Sequence, residues 1–135
     1  MNLAKLRGDV VILACAISAG IHGALVPRHF DESAGAGLGF LAATVALAGL
    51  VLWLTGRPAN PSAIAAAAVT FAGLLGSYAL ATTTGLPVLH PDPEPVDGLA
   101  LVTKAIEAAG LLAASGLLWR PRVAATITQP KGRLT

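Results

Sequence analysis

Charged residues are scarce in this chain: Asp, Glu, Lys and Arg make up 12% of its 135 residues, about half their usual share in soluble proteins. Hydrophobic residues supply 55%, and the mean hydropathy is +0.73. A soluble domain of this length needs far more polar surface than these residues provide. The composition therefore excludes a soluble enzyme, a nucleic-acid-binding domain and a disordered chain, and it indicates one small membrane domain.

Cysteine is nearly absent, since Cys15 is the single one. A disulfide within the chain and a CxxC zinc site are therefore both excluded. Cys15 also lies inside an apolar run and not at a processing position, so a lipid anchor is not expected. No sequence feature implies a cofactor.

Long uncharged runs predict where the chain crosses a bilayer. Runs of 18, 24 and 34 uncharged residues follow Asp9, Glu32 and Arg57. A helix needs about 20 apolar residues to cross about 30 Å of hydrocarbon. With a fourth apolar segment near the C-terminus, the sequence predicts an all-α integral membrane four-helix bundle. The predicted spans cover about 9–26, 37–55, 62–84 and 98–119, within a single domain 1–122 that precedes a short basic cytoplasmic tail 123–135.

The fourth span contains two charges, Lys104 and Glu107. Each costs about 2.5–3.5 kcal/mol at a helix centre. Because they are three residues apart, they share a helix face and can form a pair. Without this crossing, the basic C-terminal tail would lie on the same side as the acidic loop 90–97. Four crossings are therefore predicted.

Four crossings separate the charges by sign, which predicts the orientation of the chain. The positive-inside rule places both termini in the cytoplasm, as a multi-pass protein of the bacterial plasma membrane. A cleaved signal peptide over the first run is the alternative, although no A-x-A-like site is obvious. Pro27 and Pro87 are predicted to end the first and third helices. The inner side collects Lys5, Arg7, Arg57, Arg120, Arg122, Lys131 and Arg133 against Asp9, and the outer side collects Asp31, Glu32, Asp92, Glu94 and Asp97 against Arg28.

Polar residues in the outer half of the predicted bundle are the candidates for function. One hypothesis is a cavity that binds a proton, a metal ion or a small ligand. The other is a buried polar network that only holds the helices in register. No HxxxH, ExxH or CxxC spacing supports a metal site. The ligand or proton candidates are His22, Tyr78, Thr82, Lys104 and Glu107, and the metal candidates are His22, Glu107, His29 and His90.

A nucleophile–base pair for catalysis is the remaining chemical possibility. Ser18 precedes His22 by one helical turn, which brings their side chains alongside each other. Nothing in the short loops supplies an oxyanion hole or a substrate groove. The protein is therefore predicted not to be an enzyme.

Four segments resemble a known group of proteins. The run AGIHGALVPRHFDE at 19–32, followed by GLGF at 37–40, resembles small four-helix membrane proteins of GC-rich actinobacteria. TTTGLP at 82–87 and EPVD at 94–97 are similar to the same family, although Thr83 stands where such relatives commonly have arginine. The resemblance covers most of the chain and implies a topology but no activity. It favours His22 and Glu107 as the residues to test first.

Two functions follow from these observations. The first is a non-enzymatic accessory or structural subunit that packs helix to helix in the bilayer, against a membrane-protein partner or a second copy of itself. The alternative is a small binding or transport protein that uses the His22 and Glu107 region. The expected surroundings are the lipid bilayer, with no nucleic acid.

Overall fold

The computed structural model of the chain describes residues 2–86, 93 and 95–127, with side chains described as far as Trp119. These residues form four helices, and each helix is long and apolar enough to cross a membrane. The predicted all-α, four-helix class is confirmed for this part of the chain. The helices are α1 (Leu3–Glu32), α2 (Ala34–Gly56), α3 (Pro61–Thr83) and α4 (Gly98–Ile127).

Short polar side chains begin each helix, because the first backbone N–H groups of a helix lack partners within it. The side chains of Asn2 and Ser33 accept hydrogen bonds at the starts of α1 and α2. Asn60 Oδ1 accepts from two N–H groups at the start of α3. Asp97 Oδ1 accepts from the N–H of Ala100 at 2.7 Å in α4. The tight connections at Ser33 and 57–60 follow directly from these caps.

The prediction that the first helix ends at Pro27 is wrong, since α1 continues through Pro27 to Glu32. Proline removes one backbone donor and crowds the preceding turn. Side-chain contacts in the following turn support the extension, as they commonly do in membrane helices. His29 Nδ1 donates to the Leu25 carbonyl at 2.9 Å, and Arg28 Nε lies 3.4 Å from a Glu32 carboxylate oxygen. The extension keeps His29 and Glu32 on the same helix as His22.

The four helices follow one another around the bundle in chain order. α1 packs most extensively against α2 and then against α4, and α3 packs mainly against α4 and less against α2. α1 and α3 touch little, so they lie diagonally opposite. We call the end with Arg7 and Arg57 the basic end, and the end with Glu32 and Asp97 the acidic end.

The two ends differ in what fills the space between the helices. An apolar core extends from the basic end to the middle of the bundle, and its largest fully buried members are Phe71, Leu47 and Leu54. Buried polar residues lie beyond this core, toward the acidic end: Ser18, His22, Thr103 and Glu107. The bundle therefore combines an apolar half with a polar half.

Candidate functional site

A cavity of about 420 Å³ occupies the acidic end of the bundle. All four helices contribute to its wall, through residues such as His22, Phe40, Tyr78 and Lys104. Apolar side chains, including Leu25 and Leu74, supply much of the lining. Mostly apolar walls with a few placed polar groups are typical of small-molecule sites.

Glu107 lies behind the cavity wall, where it contacts the lining residue Lys104, and 0% of its surface is exposed. Lys104 Nζ donates to its Oε2 at 2.7 Å, and Ser18 Oγ donates to its Oε1 at 2.7 Å. Lys104 Nζ also lies 3.4 Å from the Leu74 carbonyl oxygen of α3. Both carboxylate oxygens are therefore paired, and the charge is compensated. This network joins α1, α3 and α4.

His22 reaches the same network from α1, but only one of its ring nitrogens is used. Nδ1 lies 2.9 Å from the Ser18 carbonyl oxygen, and a carbonyl can only accept, so we assign the ring proton to Nδ1. Nδ1 is 3.9 Å from Glu107 Oε1, which is beyond hydrogen-bond length. Among the described residues nothing hydrogen-bonds Nε2, and His22 lines the cavity. With its proton on Nδ1, a neutral His22 ring offers the cavity an acceptor at Nε2.

Tyr78 provides the second unused polar group. Its hydroxyl is buried and has no hydrogen-bond partner within the described part of the chain. Buried polar atoms are usually paired, so an unpaired hydroxyl on a cavity wall requires an explanation. The Lys104 ammonium lies 5.4 Å from the centre of the Tyr78 ring. The phenol group is therefore held beside the ion pair, with its hydroxyl free.

Aromatic rings form the wall nearer the acidic end. Phe40 of α2 stacks on His29 with ring centres 3.5 Å apart, and its centre is 5.2 Å from that of His22. His29 Nε2 lies 3.9 Å from a Glu32 carboxylate oxygen. Phe40 thus separates the two histidines of α1.

The metal candidates do not converge in the described residues. His22 and His29 are seven residues apart, or about 10 Å along the helix axis. No group of three or more His, Cys, Asp or Glu side chains in this part of the chain is placed to hold a metal ion. His90 lies outside the described residues. Metal binding at His22 and Glu107 stays a prediction without a coordination site behind it.

The structure brings four of the five ligand candidates together: His22, Tyr78 and Lys104 line the cavity, and Glu107 is paired with Lys104 behind its wall. Thr82 is the exception, because its hydroxyl donates to the Tyr78 carbonyl at 3.0 Å and it neither lines the cavity nor contacts this ion pair. Ser18 and Phe40 belong to this site but are not among the residues predicted to form it. The four-residue spacing of Ser18 and His22 was a usable signal for the first, whereas nothing in the sequence indicated which way Phe40 faces.

Comparison with known proteins supplies no relative from which a function could be inferred. No protein-family model, curated protein or solved structure matches the chain. An assignment of function to this small, four-helix, membrane-type chain therefore rests on the cavity and its polar groups.

Proposed function

We propose that this protein is a non-enzymatic, multi-pass protein of the bacterial plasma membrane that binds a small molecule in the cavity at its acidic end. The observation that carries the proposal is that two side chains lining the cavity, His22 of α1 and Tyr78 of α3, each have a polar group that no described residue hydrogen-bonds: His22 Nε2 and the Tyr78 hydroxyl. Of the two functions predicted from the sequence, these groups favour the binding protein.

In a purely structural network, every polar group would be hydrogen-bonded to another member of the network. Glu107 and Ser18 meet that expectation, since each is hydrogen-bonded to a neighbouring helix. His22 Nε2 and the Tyr78 hydroxyl do not, although both belong to buried or half-buried side chains next to that network. Leaving the buried Tyr78 hydroxyl unpaired costs about 1–3 kcal/mol, which a bound molecule can recover. The accessory-subunit role stays a prediction.

The hydrogen bonds of Ser18 support the absence of catalysis. Its hydroxyl donates to Glu107, and His22 Nδ1 carries a proton toward the Ser18 carbonyl. His22 therefore presents a donor to Ser18, where a nucleophile would need an acceptor.

Filling the cavity tests the proposal. Ala43 lines the cavity, whereas its neighbour Ala42 faces outward from the bundle. We expect at least one member of a panel of Zn²⁺, Cu²⁺, Mn²⁺ and small organic molecules to raise the melting temperature of the purified protein saturably. The Ala43→Leu variant should lose this response, because leucine occupies the binding volume, and Ala42→Leu should keep it. Thermal unfolding in lipid nanodiscs measures both.

Two outcomes would overturn the proposal. One is a native chain that no panel member stabilises. The other is a response that is equal in Ala43→Leu and Ala42→Leu, which would place binding outside the cavity. Either outcome would favour the accessory-subunit role.

The proposed orientation puts the basic end in the cytoplasm and the mouth of the cavity outside. Separate tests use Ala59→Cys, in the α2–α3 connection, and Val96→Cys, before α4; both positions are exposed. We expect a membrane-impermeant maleimide to label Val96→Cys in intact cells and Ala59→Cys only after permeabilisation. The native chain is the blank, because Cys15 is fully buried. Labelling of Ala59→Cys in intact cells would reverse the assignment.

A further inference from the structure

We infer that the cavity takes an uncharged aromatic molecule that carries a hydroxyl group, of the phenol or quinol type. This inference rests on the proposed function and adds the chemical class of the ligand. It follows from three features of the cavity: the kinds of hydrogen bond on offer, the balance of charge and the nature of the walls.

A hydroxyl group matches the unused polar atoms. His22 Nε2 accepts a hydrogen bond, because Nδ1 is committed as donor to the Ser18 carbonyl. The Tyr78 hydroxyl can donate or accept. Lys104 Nζ donates to Glu107 and Leu74 and retains a third N–H. A ligand hydroxyl can donate to His22 and can also accept a hydrogen bond, whereas a ketone can only accept and leaves His22 unpaired.

The charge balance disfavours an ion. Lys104 and Glu107 neutralise each other at 2.7 Å, and Arg28 and Glu32 form a second pair nearer the mouth. The Asp97 carboxylate accepts from the first turn of α4, a position that favours negative charge. A charged ligand would lose its hydration while the Lys104–Glu107 and Arg28–Glu32 charges are already paired and the Asp97 charge is already stabilised by the helix N-terminus.

Flat rings form part of the cavity wall. The chain contains three Phe, one Tyr and two Trp, and the cavity is lined by Phe40, Tyr78 and two imidazole rings. Flat rings pack well against such walls in offset or edge-to-face arrangements. A volume of about 420 Å³ lies within the range of small-molecule sites.

The single tyrosine makes the test direct. Biosynthetic 3-fluorotyrosine places one fluorine reporter in the cavity, at Tyr78, with no change elsewhere in the chain. The probe is 2-naphthol, compared with 2-methylnaphthalene, which lacks the hydroxyl, and 2-naphthoate, which is charged. We expect 2-naphthol to shift the ¹⁹F resonance saturably and to bind about tenfold more tightly than either analogue, the difference that one net hydrogen bond makes.

Variants separate the cavity from the surrounding lipid. Ala43→Leu should abolish the shift and Ala42→Leu should keep it. In unlabelled protein, Tyr78→Phe should weaken 2-naphthol binding, measured by naphthol fluorescence, and leave 2-methylnaphthalene binding unchanged. This variant should fold, because the Tyr78 hydroxyl makes no hydrogen bond in the described structure.

The contrary outcomes distinguish an error in the ligand class from an error in the proposed function. Equal affinity for 2-methylnaphthalene or 2-naphthoate would overturn the hydroxylated, uncharged ligand class while leaving a binding cavity. A failure of 2-naphthol to bind, alongside a panel member that stabilises the native chain but not Ala43→Leu, would overturn this inference alone. Failure of both experiments would overturn the proposed function as well.

Discussion

Replacing Glu107 by leucine is expected to lower the free energy of unfolding by about 3–5 kcal/mol, because it leaves a largely buried charge without its partner. Lys104 lies 2.7 Å from the Glu107 carboxylate, and its side chain is only 16% exposed. Ser18 Oγ also loses its acceptor. Chemical or thermal unfolding of the purified protein in one detergent measures the loss.

A double variant distinguishes the pair from the residue. Combining Glu107→Leu with Lys104→Met removes both charges, so most of the lost stability should return. The matched control is Asp9→Leu, since Lys5 and Asp9 also form an acid–lysine pair on one helix, but an exposed one with 76% and 53% of the side chains accessible. Its loss should stay below about 1 kcal/mol. Equal losses for Glu107→Leu and Asp9→Leu would contradict the buried ion pair.

The second large effect is expected at Gly110, where a single methyl group should destabilise the bundle by about 1–3 kcal/mol. A Cβ atom there would lie 2.6 Å from Phe71 Cε2 and 2.8 Å from Ala14 Cβ. Phe71 is fully buried, so its ring has nowhere to move, and Ala14 belongs to the neighbouring helix α1. The Gly110→Ala variant must therefore push α4 away from both α1 and α3.

Gly73→Ala is the control for this substitution. A Cβ at Gly73 would meet nothing within 4 Å, so the variant should be as stable as the native chain or slightly more so. The melting temperatures of the two variants, measured side by side in the same detergent, make the comparison. If Gly110→Ala melts with or above Gly73→Ala, then α4 does not approach its neighbours as closely as described.

Ala43→Leu and Glu107→Leu together separate function from stability. The first reduces the cavity volume and leaves Lys104 and Glu107 in place. The second removes one partner of that ion pair. A ligand response that is lost in Ala43→Leu with little change in melting temperature would show that binding and folding use different residues. The outcome decides whether the polar half serves mainly to bind or mainly to hold the helices.

The sequence by itself determined the number of helices and the segregation of charge. Both are properties that can be read along the chain: a run such as 10–27 is too apolar and too long for anything but a buried or membrane helix. The pairing of Lys104 with Glu107 was also predictable, because residues three apart on a helix share a face and a lone charge there is costly. These conclusions need only local spacing and composition.

Only the tertiary structure decided which polar residues meet. In this chain nearly every helix face is apolar, so hydropathy does not indicate which face turns inward, unlike the polar and apolar faces of a soluble helix. His22 therefore joined Glu107 through Ser18, and Thr82 turned out to lie off the cavity wall. The sequence around Pro27 was likewise compatible with a helix that ends there or continues. In the structure the helix continues, and side-chain contacts in the next turn support it. Packing between helices determines which faces turn inward, because lipid and the apolar core solvate the same side chains almost equally well.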